Sequence, residues 1–233
     1  MSCRAAVAVI SIALAAGGCR TAAPPPPSHL ETDWVAASAE YRAILIQTYR
    51  LAGERLEELV SDRQPGTWAV ALDADETLIS NLRYQEEIAA AGQSYSSASF
   101  GAWVERRAAP PLPGVLAFLE RVRELGGKIA VVTNRRLAWC EDTEANLEAI
   151  GIAYDVILCR GEDREKERRW QRIENGTASP RLPALEIVMF LGDNIKDFPG
   201  LDQSLAAADE ADFTDFGAEF FVIPNPMYGS WAE

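Results

Sequence analysis

The residues that could do chemistry in this chain are mostly acids, and they sit at the ends of apolar runs. Residues 68–72 are apolar and lead directly into Asp73, Ala74, Asp75 and Glu76. Carboxylates this close to a core are costly unless a cation or a proton compensates them. A second acidic cluster follows another apolar run, with Gly192, Asp193, Asn194 and Asp197. Thr133 and Asn134 end a third run, and Lys166 lies in a charged stretch at 160–172. Together these groups suit a hard divalent cation, or an anion held by a cation. The only histidine of the 233 residues is His29, in a proline-rich stretch near the N-terminus. That excludes a Ser-His-Asp triad, a phosphohistidine mechanism and a His-rich zinc site in the folded part. The chemistry must run on carboxylates, lysine, arginine, hydroxyls or a bound metal.

The elements that position these groups follow from the pattern. Runs at 68–73, 128–133, 154–159, 186–193 and 220–224 are continuously apolar, as strands of a parallel sheet covered on both faces are. Helical patterns at 114–125, 137–150, 164–174 and 199–208 alternate with them. The fold class read from this is α/β, a doubly wound, mostly parallel sheet. Such sheets bind ligands at the carboxyl ends of their strands, where Asp73, Thr133, Lys166 and Asp193 all fall. Residues 79–113 exceed what a crossover needs and are read as a small helical cap inserted after the first strand. Residues 32–62 read as one long N-terminal helix. Its amphipathic pattern suits either the chain's own core or a homodimer.

The order of these motifs resembles the haloacid dehalogenase (HAD) superfamily. Finer features are similar to the class C acid phosphatases, lipoprotein-type enzymes of bacteria. They are Asp-Glu-Thr at 75–77, Val-Thr-Asn-Arg at 132–135, Lys-x-x-Arg at 166–169, Gly-Asp-Asn-x-x-Asp-Phe at 192–198, and the tail at 224–231. Two departures are Ala74, where Leu or Ile is usual, and Ser80 to Tyr84, where Asp-Asn-Ser-Pro-Tyr is frequent.

The resemblance implies a Mg²⁺-dependent phosphomonoesterase. Asp73 would be the nucleophile forming an aspartyl-phosphate, and Asp75 the acid and base. Metal ligands would be Asp73, Asp193 and the Asp75 main-chain carbonyl, with Asp197 a ligand through water or a residue that orients the others. Thr133, Asn134 and Lys166 would hold the phosphoryl oxygens. Trp103 and Tyr228 would stack on a nucleobase or aryl leaving group, or else pack as core; Tyr84 and Phe100 lean toward packing. Arg135 and Arg169 are either site residues or surface pairs. Small phosphate monoesters, nucleoside monophosphates among them, are the expected substrates. A phosphotransferase on the same site is an alternative, as is a ligand-binding surface lipoprotein on an idle fold.

Net charge is −13, from 22 basic and 35 acidic residues, which argues against a nucleic-acid polymer as partner. Residues 1–18 read as a lipoprotein signal peptide, with Ala16-Gly17-Gly18-Cys19 as the processing box. Cys19 would carry the lipid anchor and residues 19–31 form a Pro-rich tether. The phosphatase-like domain would then be 32–233. This places the protein in the bacterial cell envelope, on the outer membrane and facing the periplasm. In that oxidising compartment Cys140 and Cys159 form an even pair, bridged or left as two buried thiols.

Overall fold

The five apolar runs form one sheet in the computed structural model, which describes residues 29–162 and 164–232. The strands are β1 (Trp68–Leu72), β2 (Lys128–Arg136), β3 (Val156–Arg160), β4 (Glu186–Gly192) and β5 (Phe220–Val222). Their order is β3-β2-β1-β4-β5, and every pairing is parallel. Alternate residues of β1 enter different cores, as a pleated strand requires. Val70 and Leu72 join one apolar cluster, and Ala69 and Ala71 join the other. All five β1 residues are buried, which explains the unbroken apolar run.

Seven α-helices accompany the sheet among the described residues: α1 (Leu30–Ala37), α2 (Ala39–Leu59), α3 (Leu82–Ala90), α4 (Ser97–Glu105), α5 (Val115–Glu124), α6 (Cys140–Ala149) and α7 (Glu167–Glu174). The sequence pattern at 32–62 predicts one helix, but the structure makes two. Ser38 is extended, at φ −80° and ψ 135°, and its hydroxyl accepts the Tyr41 N–H at 3.0 Å. Serine competes for backbone donors and caps a new helix instead of continuing the old one. The α2 face made by Tyr41, Leu45, Tyr49, Ala52 and Leu56 is buried, while Ile44, Ile46 and Leu51 are exposed on the other side. Each fully buried leucine there contributes roughly 1.5–3 kcal/mol. The pattern at 199–208 yields only 3₁₀ turns, at Gln203–Ala207 and, just beyond it, at Glu210–Phe213.

Residues 79–113 carry α3 and α4, and their two ends lie side by side. Ile79 pairs antiparallel with Pro111, the Ser80 N–H donates to Pro110 O, and the Leu112 N–H donates to Leu78 O. Residues 1–18, Cys19 and most of the tether lie outside the described residues. The first helix begins at Leu30, two positions before the boundary read from sequence. No helix among the described residues is long and apolar enough to cross a membrane.

Candidate active site

The carboxyl ends of β1 and β4 bring Asp73, Asp193 and Asp197 together. One oxygen from each lies within 4.8 Å of the others. The loop after β4 is built for this. A Cβ on Gly192 would sit 2.2 Å from Asp197 Cβ, so only glycine lets Asp197 fold back over the strand end. Asp197 Oδ2 accepts the Asn194 N–H at 3.0 Å, and Asn194 Oδ1 accepts the Lys196 N–H at 3.1 Å. Asn225 Nδ2 donates to Asp193 Oδ2 at 2.8 Å.

Lys166, the residue preceding α7, is buried between two of these acids. Its Nζ is 2.5 Å from Asp73 Oδ1 and 2.7 Å from Asp197 Oδ1. Burial opposes its charge, but the Asp197 and Asp73 carboxylates lift its pKa above the ordinary value. The ammonium thus pairs with two of the three carboxylates, Asp73 and Asp197, and not with Asp193. Burial pushes the Asp73 carboxyl up to about 7, with Asp197 and Asp75 adding to the rise and Lys166 opposing it. Burial and the charges of Asp197, Asp73 and Glu76 push Asp193 well above the usual range. Excess buried negative charge on hard oxygen donors fits a divalent cation, and Asp73, Asp193 and Asp197 could hold one.

Asp75 stands apart from this cluster. Arg135 donates Nε to both of its oxygens, at 3.0 and 3.2 Å, and Nη2 to Oδ1 at 2.7 Å. Asn81 Nδ2 donates to the same Oδ1 at 2.7 Å. Asn81 is itself fixed on both sides. Its Oδ1 accepts the Trp103 indole N–H at 2.7 Å and Arg135 Nη2 at 3.2 Å. Indole can only donate, so the amide's oxygen must face Trp103 and its nitrogen the acids. Glu76 accepts the Asn81 N–H at 2.6 Å and Asn81 Nδ2 at 2.9 Å. These bonds hold Glu76 at φ 47°, a left-handed conformation that costs a non-glycine residue roughly 1–2 kcal/mol. Burial and the Asp75 charge push Glu76 up to about 8, against the pull of the Asn81 donors.

A cleft of about 740 Å³ opens over these groups, lined in part by Asp73, Asp75, Asn134, Asp193, Asp197 and Tyr228. Thr133 lies beneath that surface, fully buried, its hydroxyl accepting the Arg135 N–H at 3.1 Å. Arg169 braces the same strand end: its Nη1 donates to Thr133 O and its Nη2 to Asn134 Oδ1 at 2.6 Å. Cys140 and Cys159 are bridged, with Cα atoms 5.9 Å apart, tying the start of α6 to β3.

Residues 26–231 match the family model of the HAD superfamily, subfamily IIIB (acid phosphatase). The chain belongs to that family. It is similar to the class C acid phosphatase from Bacillus anthracis, with a TM-score of 0.78 at 28% identity over 87% of this chain and 85% of that one. It is 29% identical over 165 residues to acid phosphatase 1 of Solanum lycopersicum, matching 67% of this chain and 56% of the relative. It is 32% identical over 155 residues to the stem 31 kDa glycoprotein of Glycine max, matching 66% and 56%. The chain thus spans about half the length of these curated relatives.

Of the two roles the sequence leaves open for Trp103, stacking on a substrate ring or packing, its surroundings match packing. Trp103 is not a stacking surface: it is 2% exposed, its N–H is spent on Asn81, and it takes no part in lining the cleft. The Arg106 guanidinium covers its ring at 4.7 Å. Tyr228 does line the cleft, as do Tyr95, Phe100 and Trp139. Sequence reasoning missed Asn81 and Asn225 as site residues. Asn81 had a signal, because it keeps the Asn of the family's Asp-Asn-Ser-Pro-Tyr. Asn225 lies in the quoted tail, with nothing in its local pattern to announce a bond to Asp193.

Proposed function

We propose that the protein is a Mg²⁺-dependent acid phosphatase that hydrolyses phosphate monoesters through an aspartyl-phosphate. The observation that carries this is the pairing of two acids with separate environments, Asp73 in the carboxylate–lysine cluster and Asp75 in the grip of Arg135 and Asn81. An Asp73 oxygen attacks phosphorus, and the bond from phosphorus to the leaving oxygen breaks. Asp75 gives its proton to that leaving oxygen. It then takes a proton from the water that displaces Asp73, and inorganic phosphate departs. Lys166 keeps the Asp73 oxygen oriented and offsets negative charge as the phosphoryl group transfers. Asn134, held by Arg169, is positioned to donate to a phosphoryl oxygen. Bound Mg²⁺, held by Asp73, Asp193, Asp197 and the Asp75 carbonyl, would supply the positive charge that lets a phosphate dianion approach a carboxylate.

Nucleoside monophosphates and aryl phosphates are the proposed substrates, with Tyr228 as the aromatic wall of the cleft. The Bacillus anthracis relative also has a structure with tungstate bound, and tungstate is a tetrahedral oxyanion like phosphate. The test is turnover of p-nitrophenyl phosphate and AMP by purified protein, with Mg²⁺ or EDTA, beside Asp73→Asn. Turnover that needs Mg²⁺ and is lost in Asp73→Asn is expected. Undiminished activity of that variant would sink the mechanism.

We propose in addition that Cys19 carries a lipid anchor placing the enzyme on the outer membrane, facing the periplasm. Incorporation of labelled palmitate, abolished in Cys19→Ala, tests this. Lipid retained by that variant would refute it.

A further inference from the structure

Three arginines, Arg136, Arg160 and Arg164, line the cleft, and among the described residues none of them forms an ion pair with an acid. Arg136 ends β2 and Arg160 ends β3, and the two are direct partners across the parallel pair. Like charges placed opposite one another on neighbouring strands destabilise a sheet. Arg164 follows a few residues later, and all three line the cleft that contains Asp73 and Asp193. Among the described residues, no carboxylate lies within 4.0 Å of any of these guanidinium groups, although ion pairs form at many other arginines of this acidic chain. The Arg160 pKa is lowered by burial and then by the charges of Arg164 and Arg136.

The arrangement is also held in place. Arg136 Nη2 donates to Ser97 Oγ of α4 at 2.8 Å, and its guanidinium covers the Trp139 ring at 5.3 Å. Cys159 precedes Arg160, and its bridge to Cys140 pins this edge of the sheet. Lys196 adds a further positive group to the lining, and beyond the Asp73, Asp75, Asp193 and Asp197 of the reaction site the lining holds one more acid, Glu165. A repulsive set of guanidiniums on the cleft lining, unpaired with carboxylates among the described residues, suits a ligand that brings its own dianion. Planar forks of N–H donors match phosphate oxygens in pairs.

We infer that the cleft takes phosphomonoesters carrying a second phosphate, held by Arg136, Arg160 and Arg164 while the first lies over Asp73. This inference rests on the phosphomonoesterase reading of the Asp73 site. It adds a preference for bisphosphorylated compounds, such as a nucleoside bisphosphate, over the corresponding monophosphate.

The test compares adenosine 3′,5′-bisphosphate with AMP at several salt concentrations, with p-nitrophenyl phosphate as the substrate that has no second anion. kcat/KM for the bisphosphate is expected to exceed that for AMP roughly tenfold or more, through KM, and the ratio is expected to fall as salt rises. In Arg160→Gln/Arg164→Gln the ratio should collapse toward one while p-nitrophenyl phosphate is still turned over. The single Arg164→Gln variant, altered only in an exposed segment, should show a smaller fall and serves if the double variant does not fold. Equal kcat/KM for the two nucleotides in the wild type would overturn the inference, as would a ratio that survives in the variants. If the wild type leaves p-nitrophenyl phosphate intact, the reaction class itself fails. Calorimetry with the same two nucleotides then decides the inference, and equal affinities overturn it.

Discussion

Arg135 grips the Asp75 carboxylate with two of its nitrogens, and it does so from a position that is 1% exposed to solvent. A buried guanidinium in that geometry fixes a carboxylate more rigidly than solvent could. Arg135 is therefore a positioning residue for the proposed acid and base. Arg135→Gln is expected to lower kcat about a hundredfold on AMP, whose alkoxide leaving group needs a proton. The loss should be smaller on p-nitrophenyl phosphate, whose leaving group is stable as an anion. A purely structural role would lower both rates alike, so the ratio of the two losses is the measurement. Removing one partner of a buried pair also costs roughly 3–5 kcal/mol, so a fall in Tm should accompany it.

Trp103→Phe separates a stacking role from a holding role. The substitution keeps an aromatic ring but removes the N–H that Asn81 Oδ1 accepts. Leaving that buried oxygen short of a partner costs about 1–3 kcal/mol. Stability should fall by that amount in chemical denaturation, and kcat should fall as Asn81 loses its fixed orientation toward Asp75. KM for AMP relative to p-nitrophenyl phosphate should hold steady. A selective rise in the KM of AMP would mean that Trp103 touches the base.

Metal removal should expose an unusual pH dependence. The folded-state pKa of Asp73 is about 7 and that of Glu76 about 8, both above the values of an unfolded chain. Between those limits the folded protein binds more protons than the unfolded one, so stability falls as pH rises. The contribution is fully present below about pH 4 and is lost by about pH 8. EDTA-treated protein should therefore show a Tm that declines from pH 5 to pH 8. Added Mg²⁺, which needs the ionised carboxylates, should raise Tm most at pH 8 and least at pH 5. A Tm in EDTA that climbs steadily over this range would contradict the burial argument.

The parallel sheet was legible because its strands are buried on both faces, and that leaves an unbroken apolar run such as residues 68–72. Asp73 and Asp193 were legible because each follows such a run at its carboxyl end. The break at Ser38 was not, since a single serine inside a helical period is tolerated as readily as it caps. Trp103 misled for a related reason. An aromatic residue in a cap insertion has the same one-dimensional pattern whether its face meets a ligand or its N–H meets Asn81. The partner that decides lies 22 positions away, in the loop before α3. Arg135 and Arg169 could be read either way until the fold turned Arg135 toward Asp75, just past β1, and Arg169 toward the end of β2.

The Cys140–Cys159 bridge closes a short loop that includes α6, and Cys159 immediately precedes Arg160 of the cleft lining. Cross-linking residues 19 apart removes conformations from the unfolded chain, worth roughly 3 kcal/mol for a loop of this size. Cys140→Ala/Cys159→Ala should lose about that much stability in urea denaturation under oxidising conditions. The core around β1 does not depend on the bridge, so Mg²⁺-dependent turnover of p-nitrophenyl phosphate should persist well below the new Tm. Reduction of the wild-type protein should lower Tm to the same degree, whereas the variant should not respond to reductant. A wild-type Tm indifferent to reductant would mean that the bridge does not constrain the edge formed by β2 and β3.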